Sequence, residues 1–393
     1  MNGKLTRVFC AAAAGIALAA SGLAGAGAAG AARTSRADPA GRPVPVTAYV
    51  ANFSPFGTGD TVTPIATATN TALKAITVGT DPIAIAITPA GSTAYVVNGG
   101  GTVTPIAIAT NTALADIKVG TDPDAIAITP DGKTAYVANL ISFGRPGTVT
   151  PISTATGTPL KAIAVGIQPV AIAITPNGKT AYVANRYSNS VTPIRTATNT
   201  ALKPIKVGIG PDAVAITPDG KTAYVVNGGG TVTPIRTATG TALKAIKVGG
   251  YPKAIAITPD GTTAYVVNHN SLTVTPIRVA TGTALKAIKV GKRPDAIAIT
   301  PDGNTAYVAN SYYFYGGPPQ LGTVTPIRTA TNTALPAITA GHIPDAIAIT
   351  PDGKTAYISD SGGNHVTPID TATNTALPAI TVGKNPYAIA ITP

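Results

Sequence analysis

One ordered set of four short segments occurs eight times along this chain. Its clearest mark is a tyrosine in an AYV or AYI segment, at Tyr49, Tyr95, Tyr136, Tyr182, Tyr224, Tyr265, Tyr307 and Tyr357. Each is followed by VTPI, first at Val62 to Ile65, and by a TALKAI-like run, first at Thr71 to Ile76. A proline then leads into an AIAITP-like run, first at Ala84 to Pro89. The units are 41 to 50 residues long. A repeat of this period cannot bury its own apolar face, so neighbouring units must stack on one another.

Each unit reads as four short strands separated by turn signals. The TPDGKT-type link, as at Thr129 to Thr134, is a tight glycine-containing hairpin, and the ATNT or ATGT link is a second turn. Four strands at this period predict a β-propeller blade, so the fold class is all-β, an eight-bladed propeller of four-stranded antiparallel blades. Named by radius, AIAIT is strand A, innermost; AYVAN is B, VTPI is C and TALKAI is D. The last AIAITP run, Ala388 to Pro393, has no AYV partner after it, whereas the first AYV segment has no AIAIT before it. Pairing the N-terminal strand near 47–52 with the C-terminal strand at 388–392 completes the eighth blade and removes the open sheet edges. Pro64 and its seven counterparts resist this scheme, because proline cannot donate within an interior strand. A bulge at the proline, or an outer strand paired over only part of its length, is expected.

The ends of the chain read differently. Lys4 and Arg7, an apolar Ala-rich run to about Ala20, and small-residue sites such as Ala29-Gly30-Ala31 have the layout of a secretory signal peptide. The competing reading is a membrane anchor, for which the run is short and rich in Gly and Ala. The expected organisation is a signal peptide over 1–32, a flexible leader over 33–45 and one propeller domain over 46–393. The mature chain then has no transmembrane helix and is secreted or held at the cell surface or wall. The single cysteine, Cys10, falls in the expected signal peptide, so disulfides and thiol chemistry are not expected in the remainder. All 16 acidic residues are Asp against 28 Lys and Arg, which leaves the mature chain about +10 once Lys4 and Arg7 are removed.

The stretch TPDGKTAYVVN at Thr217 to Asn227, with TATNT at Thr196 to Thr200 and VG-x-x-P at Val207 to Pro211, closely resembles the YVTN-type β-propeller repeat of YncE-like bacterial proteins. The resemblance spans nearly the whole mature chain. It implies an exported or surface-located propeller, usually of seven blades; eight units and the proline of VTPI depart from that pattern. It implies no single activity, since some relatives bind DNA and related propellers include haem-bearing and lactone-hydrolysing proteins.

Length variation falls mainly in the B–C links, which share one face, the top, with the D–A links. The aromatics outside the repeated tyrosines lie in these links: Phe53, Phe56, Phe143, Tyr187, Tyr251, Tyr312, Tyr313, Phe314, Tyr315 and Tyr387. All three histidines do too, and Arg145, Arg186 and Arg293 are beside them. Variable loops on a rigid scaffold are where binding resides, so these residues with His269 form the expected ligand- or partner-binding face. The competing reading is an aromatic plug over the channel mouth. The residue after each D–A proline is expected to face that mouth, and in four units it is Asp: Asp124, Asp212, Asp295 and Asp345. Four carboxylates suit Ca²⁺, although such an Asp more often caps a turn. The last unit adds His342, Asp360 and His365 to Asp345, a weak candidate set for a transition metal. No cofactor is predicted.

Arg195, Arg236, Arg278 and Arg328 follow VTPI in consecutive units, and Lys203, Lys244 and Lys286 lie on the outer strands. Such a rim suits nucleic acid or an anionic wall polymer, but edge lysines also discourage strand pairing between molecules. Catalysis is sparsely supplied: there is no Glu and no G-x-S-x-G nucleophile motif, and no catalytic residue is assigned. The leading expectation is therefore an exported binding module; polyanion binding and a lactonase- or lyase-like enzyme at the channel mouth are the alternatives.

Overall fold

The computed structural model describes residues 45–54, 60–141, 144–311 and 321–393. Of the signal peptide and leader expected over 1–45, residues 1–44 lie outside the described residues, as do Phe56, Phe143, Tyr312, Tyr313, Phe314 and Tyr315. The rest is all-β, eight antiparallel sheets that follow the repeat. Blade 1 takes strand B from Thr47–Asn52, strand C from Thr61–Ala66 and strand A from Pro386–Ile391, the other end of the chain. Blades 2 to 8 follow in order, their A strands starting at Pro82, Pro123, Pro169, Pro211, Pro252, Pro294 and Pro344. The closing register sets Ala48 opposite Ile391 and Val50 opposite Ile389. Thr392 N–H donates to the Thr47 carbonyl at 3.0 Å, and Thr47 N–H to Thr392 Oγ1 at 2.9 Å. The chain closes its ring as the sequence predicts.

The core lies between the blades. Tyr49, Ala51 and Val62 of blade 1 pack with Ile85, Ala94, Val96 and Ile106 of blade 2, and the same sandwich repeats around the ring. Alternating Ala with Ile or Val on A and B lets both faces of every sheet meet a neighbour. The buried tyrosine reaches across each seam. Its hydroxyl donates to the C–D turn of the next blade, as in Tyr49 to Asn111 Oδ1 at 2.6 Å and Tyr265 to Asn332 Oδ1 at 2.6 Å. Tyr357 closes the circle on Asn70 of blade 1. These asparagines sit at positive φ, where other blades have Gly157, Gly240 and Gly282. Asparagine thus tolerates the left-handed turn and also supplies an acceptor.

Strand D is the least continuous of the four. It survives as two two-residue pieces, Thr71–Ala72 and Ile76–Thr77 in blade 1, both paired with strand C. Between them the Leu73 N–H donates to the Pro64 carbonyl at 2.8 Å, so Pro64 turns its polar side outward, toward D. The N–H that proline lacks would have pointed the same way. The outer strand breaks where no donor meets it. The B–C register runs through Pro64 unbroken, opposite Tyr49, so the bulge considered for this position is absent.

A bulge lies elsewhere. In every blade the A–B register slips after the proline that opens strand A: Pro82 is opposite Asn98, but Ala84 is opposite Val97. The extra residue is the one expected at the channel mouth. A bulge bends its strand and re-aims the unpaired side chain.

Candidate functional site: the channel mouth

Three positions from each blade build the top of the channel. One is the residue before the D–A proline, the second is the bulge residue after it, and the third follows strand B. Backbone bonds tie the first to the third, for example His269 N–H to the Tyr251 carbonyl at 3.0 Å and Gly99 N–H to the Asp81 carbonyl at 2.7 Å. The first position is left-handed in Asp81, Asp122, Gln168, Tyr251, Arg293 and Asn385, with φ from 43° to 59°. Non-glycine residues hold that conformation at a cost of about 1–2 kcal/mol. Beneath it, the asparagine ending strand B stitches the link down. In blade 3 Asn139 Oδ1 accepts from Gly120 N–H at 3.0 Å, and its Nδ2 donates to Thr150 Oγ1 at 3.0 Å. A Cβ on Gly120 would lie 2.6 Å from that of Asn139, which is why the link keeps glycine there.

The bulge residues run Tyr387, Ile83, Asp124, Val170, Asp212, Lys253, Asp295 and Asp345 from blade 1 to blade 8. Blades 1 to 4 offer a mainly apolar arc, with Asp124 half-buried within it. Blades 5 to 8 offer a charged one. At two seams the residue after strand B reaches round to the bulge residue of the next blade. Arg186 of blade 4 pairs with Asp212 of blade 5, and His269 of blade 6 with Asp295 of blade 7.

Asp295 is the hub. Its Oδ1 lies 2.8 Å from Lys253 Nζ and 2.7 Å from His269 Nδ1, and its Oδ2 accepts from the Ser311 hydroxyl at 2.5 Å. Arg293 Nε donates to His269 Nε2 at 3.3 Å. That nitrogen is therefore an acceptor, and the imidazole proton sits on Nδ1 facing Asp295. Tyr251 stands edge-on to the same ring, centroids 5.9 Å apart. Burial pushes the Asp295 carboxyl up, but the His269 hydrogen bond and the Lys253 charge outweigh it and hold the group well below the usual range. At Asp212 burial wins over Arg186 and Lys253, and the carboxyl titrates above its ordinary value. Lys253 thus acts on Asp212, Asp295 and Asp345, which belong to three different blades. Only side chains gathered near the axis can do that.

Asp345 is different again. Its Oδ2 is buried and has no hydrogen-bond partner. Burial first, then the neighbouring Asp295 and Asp360, push its carboxyl up to about 7 against the opposing Ser361 hydroxyl and Lys253. Asp360, fully buried, replaces the asparagine of the other seven blades, and His365 replaces the Thr or Ser that faces it across the ladder. The two substitutions meet: His365 Nε2 lies 3.1 Å from Asp360 Oδ2, which makes no hydrogen bond, and its Nδ1 donates to the Gly363 carbonyl at 2.8 Å. Asp360 Oδ1 accepts from Ile343 N–H at 2.6 Å.

The predicted binding residues therefore separate. Tyr251, His269, Arg293 and Asp295 converge, Arg186 joins Asp212, and Phe53 and Tyr387 are half-buried on blade 1. Tyr187 is half exposed and Arg145 is exposed. The weak metal set does not assemble: Asp360 and His365 pair, but no group of three His, Cys, Asp or Glu comes together among the described residues. Lys253, Ser311 and Ser361 belong to the site but were not among the predicted binding residues. The fixed offset from the residue after one B strand to the bulge of the next blade was the signal for the cross-blade pairs. Arg195, Arg236, Arg278, Arg328, Lys203, Lys244 and Lys286 are all exposed on the rim. A groove of about 1270 Å³ opens between blades 5 and 6 on the opposite side, beside Lys221, Arg236, Lys244 and Lys247. Among the described residues no helix is long and apolar enough to cross a membrane.

No protein-family model matches the chain, and no curated protein does. Among solved structures it is similar to the hydrazine synthase of Kuenenia stuttgartiensis, 26% identical over 74% of this chain and 96% of that one, with a TM-score of 0.59. The dihydro-heme d1 dehydrogenase NirN in complex with DHE is 16% identical over 90% of this chain and 76% of its own, at a TM-score of 0.71. A candidate 6-phosphogluconolactonase from Bacteroides fragilis is 20% identical over 89% and 98%, at 0.62. At these identities the likeness extends to the propeller fold.

Proposed function

We propose that this protein is an exported binding module of the YVTN type that captures a small ligand at the channel mouth, across the charged arc of blades 5 to 8. One observation carries the reading. The bulge position accepts Ile83 in blade 2 and Val170 in blade 4, so the fold does not require charge there. Yet Lys253 and Asp295 place a buried ion pair at that position, with His269 and Arg293 chained to it. Buried ion pairs seldom stabilise a fold better than apolar residues of similar volume. Their presence is better explained by a ligand that uses preoriented donors and acceptors beside an apolar arc.

The test is a thermal-shift screen of small amines, carboxylates, lactones and sugar phosphates against the wild type and a Lys253→Val/Asp295→Val variant. Compounds that stabilise the wild type should lose their effect in the variant, whose own melting temperature stays level or rises. Hits retained at full strength by the variant would place the ligand elsewhere.

A second reading concerns the rim. Two adjoining grooves, between blades 4 and 5 and between blades 5 and 6, are flanked by Lys179, Arg195, Lys203, Lys221, Arg236 and Lys244. Such a surface suits a polyanion, single-stranded DNA or a teichoic-type polymer, through counterion release. Retention on an anionic polymer that falls steeply with salt supports it; retention indifferent to salt rejects it.

A further inference from the structure

We infer that the Asp345 carboxylate is the docking point for a small organic cation, a protonated amine borne by the ligand of the channel mouth. This rests on the reading of the mouth as a binding site and names the chemistry that one part of it recognises. The four bulge aspartates are not equivalent. Asp212 has Arg186, and Asp295 has Lys253, His269 and Ser311. Asp345 has the Ser361 hydroxyl acting on it, while its Oδ2 is buried with no hydrogen-bond partner among the described residues. A buried acceptor left open in a native structure calls for an unseen partner, a water, an ion or a ligand.

The neighbours decide the sign of that partner. Lys253 is the cation whose charge reaches Asp345, but it is held 2.8 Å from Asp295. Asp360 Oδ1 accepts from the Ile343 and Gly362 N–H groups, and its Oδ2, itself without a hydrogen bond, lies 3.1 Å from His365 Nε2. Burial is the main reason Asp345 resists ionisation, and Asp295 and Asp360 add to it, so an incoming cation meets two further carboxylates beside Asp345. Calcium prefers six or more oxygen ligands, and no trio of metal-ligating side chains gathers here. An ammonium needs less: it brings its own three donors to one carboxylate. The next bulge residue round the ring is Tyr387, which sets an aromatic side chain beside the charged arc.

The experiment is calorimetric titration of the full chain with butylammonium chloride and, separately, with sodium, potassium and calcium chlorides. Butylammonium should bind saturably at about pH 8 and release protons as the pH is brought to about 7, because the cation displaces a proton from Asp345. At about pH 5.5 its affinity should fall by at least about tenfold. Asp345→Asn should abolish the pH dependence and weaken binding by at least about tenfold. Asp345→Ile, which carries the blade 2 residue, gives a second variant if the first folds poorly. The inference fails if the amine does not bind, if Asp345→Asn binds it unchanged, or if only the inorganic cations bind. Screen hits that vanish in the Lys253→Val/Asp295→Val variant but persist in Asp345→Asn would keep the mouth as the site and remove Asp345 from it.

Discussion

Lys253 Nζ and Asp295 Oδ1 lie 2.8 Å apart on the inner strands of adjacent blades, with both side chains about nine-tenths buried. They are one repeat apart in sequence and at the same place in it. Removing one partner leaves a buried charge without its counterion, so Lys253→Met should destabilise the fold by about 3–5 kcal/mol. The Lys253→Val/Asp295→Val variant should recover that loss in full. Chemical denaturation of the three proteins checks the non-additivity.

Asp345 should make stability fall with rising pH. Its folded carboxyl titrates at about 7, above its usual 3.8, so the native state holds a proton that the unfolded chain releases earlier. Its contribution is fully favourable below about pH 4 and is lost as pH rises to about 7. Asp345→Asn should therefore raise the melting temperature above neutrality and lose that advantage as the pH approaches 4. A gain that is uniform across this range would contradict the raised titration.

In blade 8 the pair Asp360 and His365 stands where other blades place Asn and a hydroxyl residue, as Asn98 stands opposite Thr102. His365→Thr alone removes the imidazole beside a fully buried carboxylate and should cost about 3 kcal/mol. Asp360→Asn with His365→Thr rebuilds the arrangement of the other blades and should return stability to near wild type. Melting temperatures of the single and double variants measure this.

The seam tyrosines predict a steep alkaline transition. Burial pushes Tyr49, Tyr136, Tyr265, Tyr307 and Tyr357 up to about 12. A raised folded value means stability present below about pH 10 and lost as pH climbs through about 12. Tyrosinate absorbance and the loss of β-sheet circular dichroism should rise together. Tyr357→Phe, which forfeits the bond to Asn70, should cost about 1 kcal/mol.

Deleting residues from Pro386 onward should be far more damaging than its length suggests. It removes strand A of blade 1 and uncovers Thr47–Asn52, now buried along its whole length. The expected outcome is self-association, read by light scattering, which an added peptide spanning residues 386–393 reduces.

The repeat made the blade count, the closing pair and the top face legible before any coordinates. Eight copies of one unit allow few other ways to bury both sheet faces. The proline in VTPI pointed to trouble at the outer strand, and of the two expected outcomes the partial pairing is the one found. The bulge at Ile83 and its counterparts left no trace in composition, since residues as different as Val170, Lys253 and Tyr387 occupy it. Convergence of Arg186 with Asp212, or His269 with Asp295, depends on ring geometry, which joins positions that no local pattern links.

The proline at the third strand also governs how these molecules treat one another. A disc whose rim displays eight near-identical sheets would seem an open invitation for neighbours to graft on by hydrogen bonding, sector by sector. Pro64 and its counterparts deny that rim a continuous row of donors, leaving two-residue stubs outside them in every blade but the third, where one piece runs over Ile163–Ile167. Crowded copies should therefore slide past one another, and replacing these prolines with valine would turn a discrete particle into a self-adhesive one.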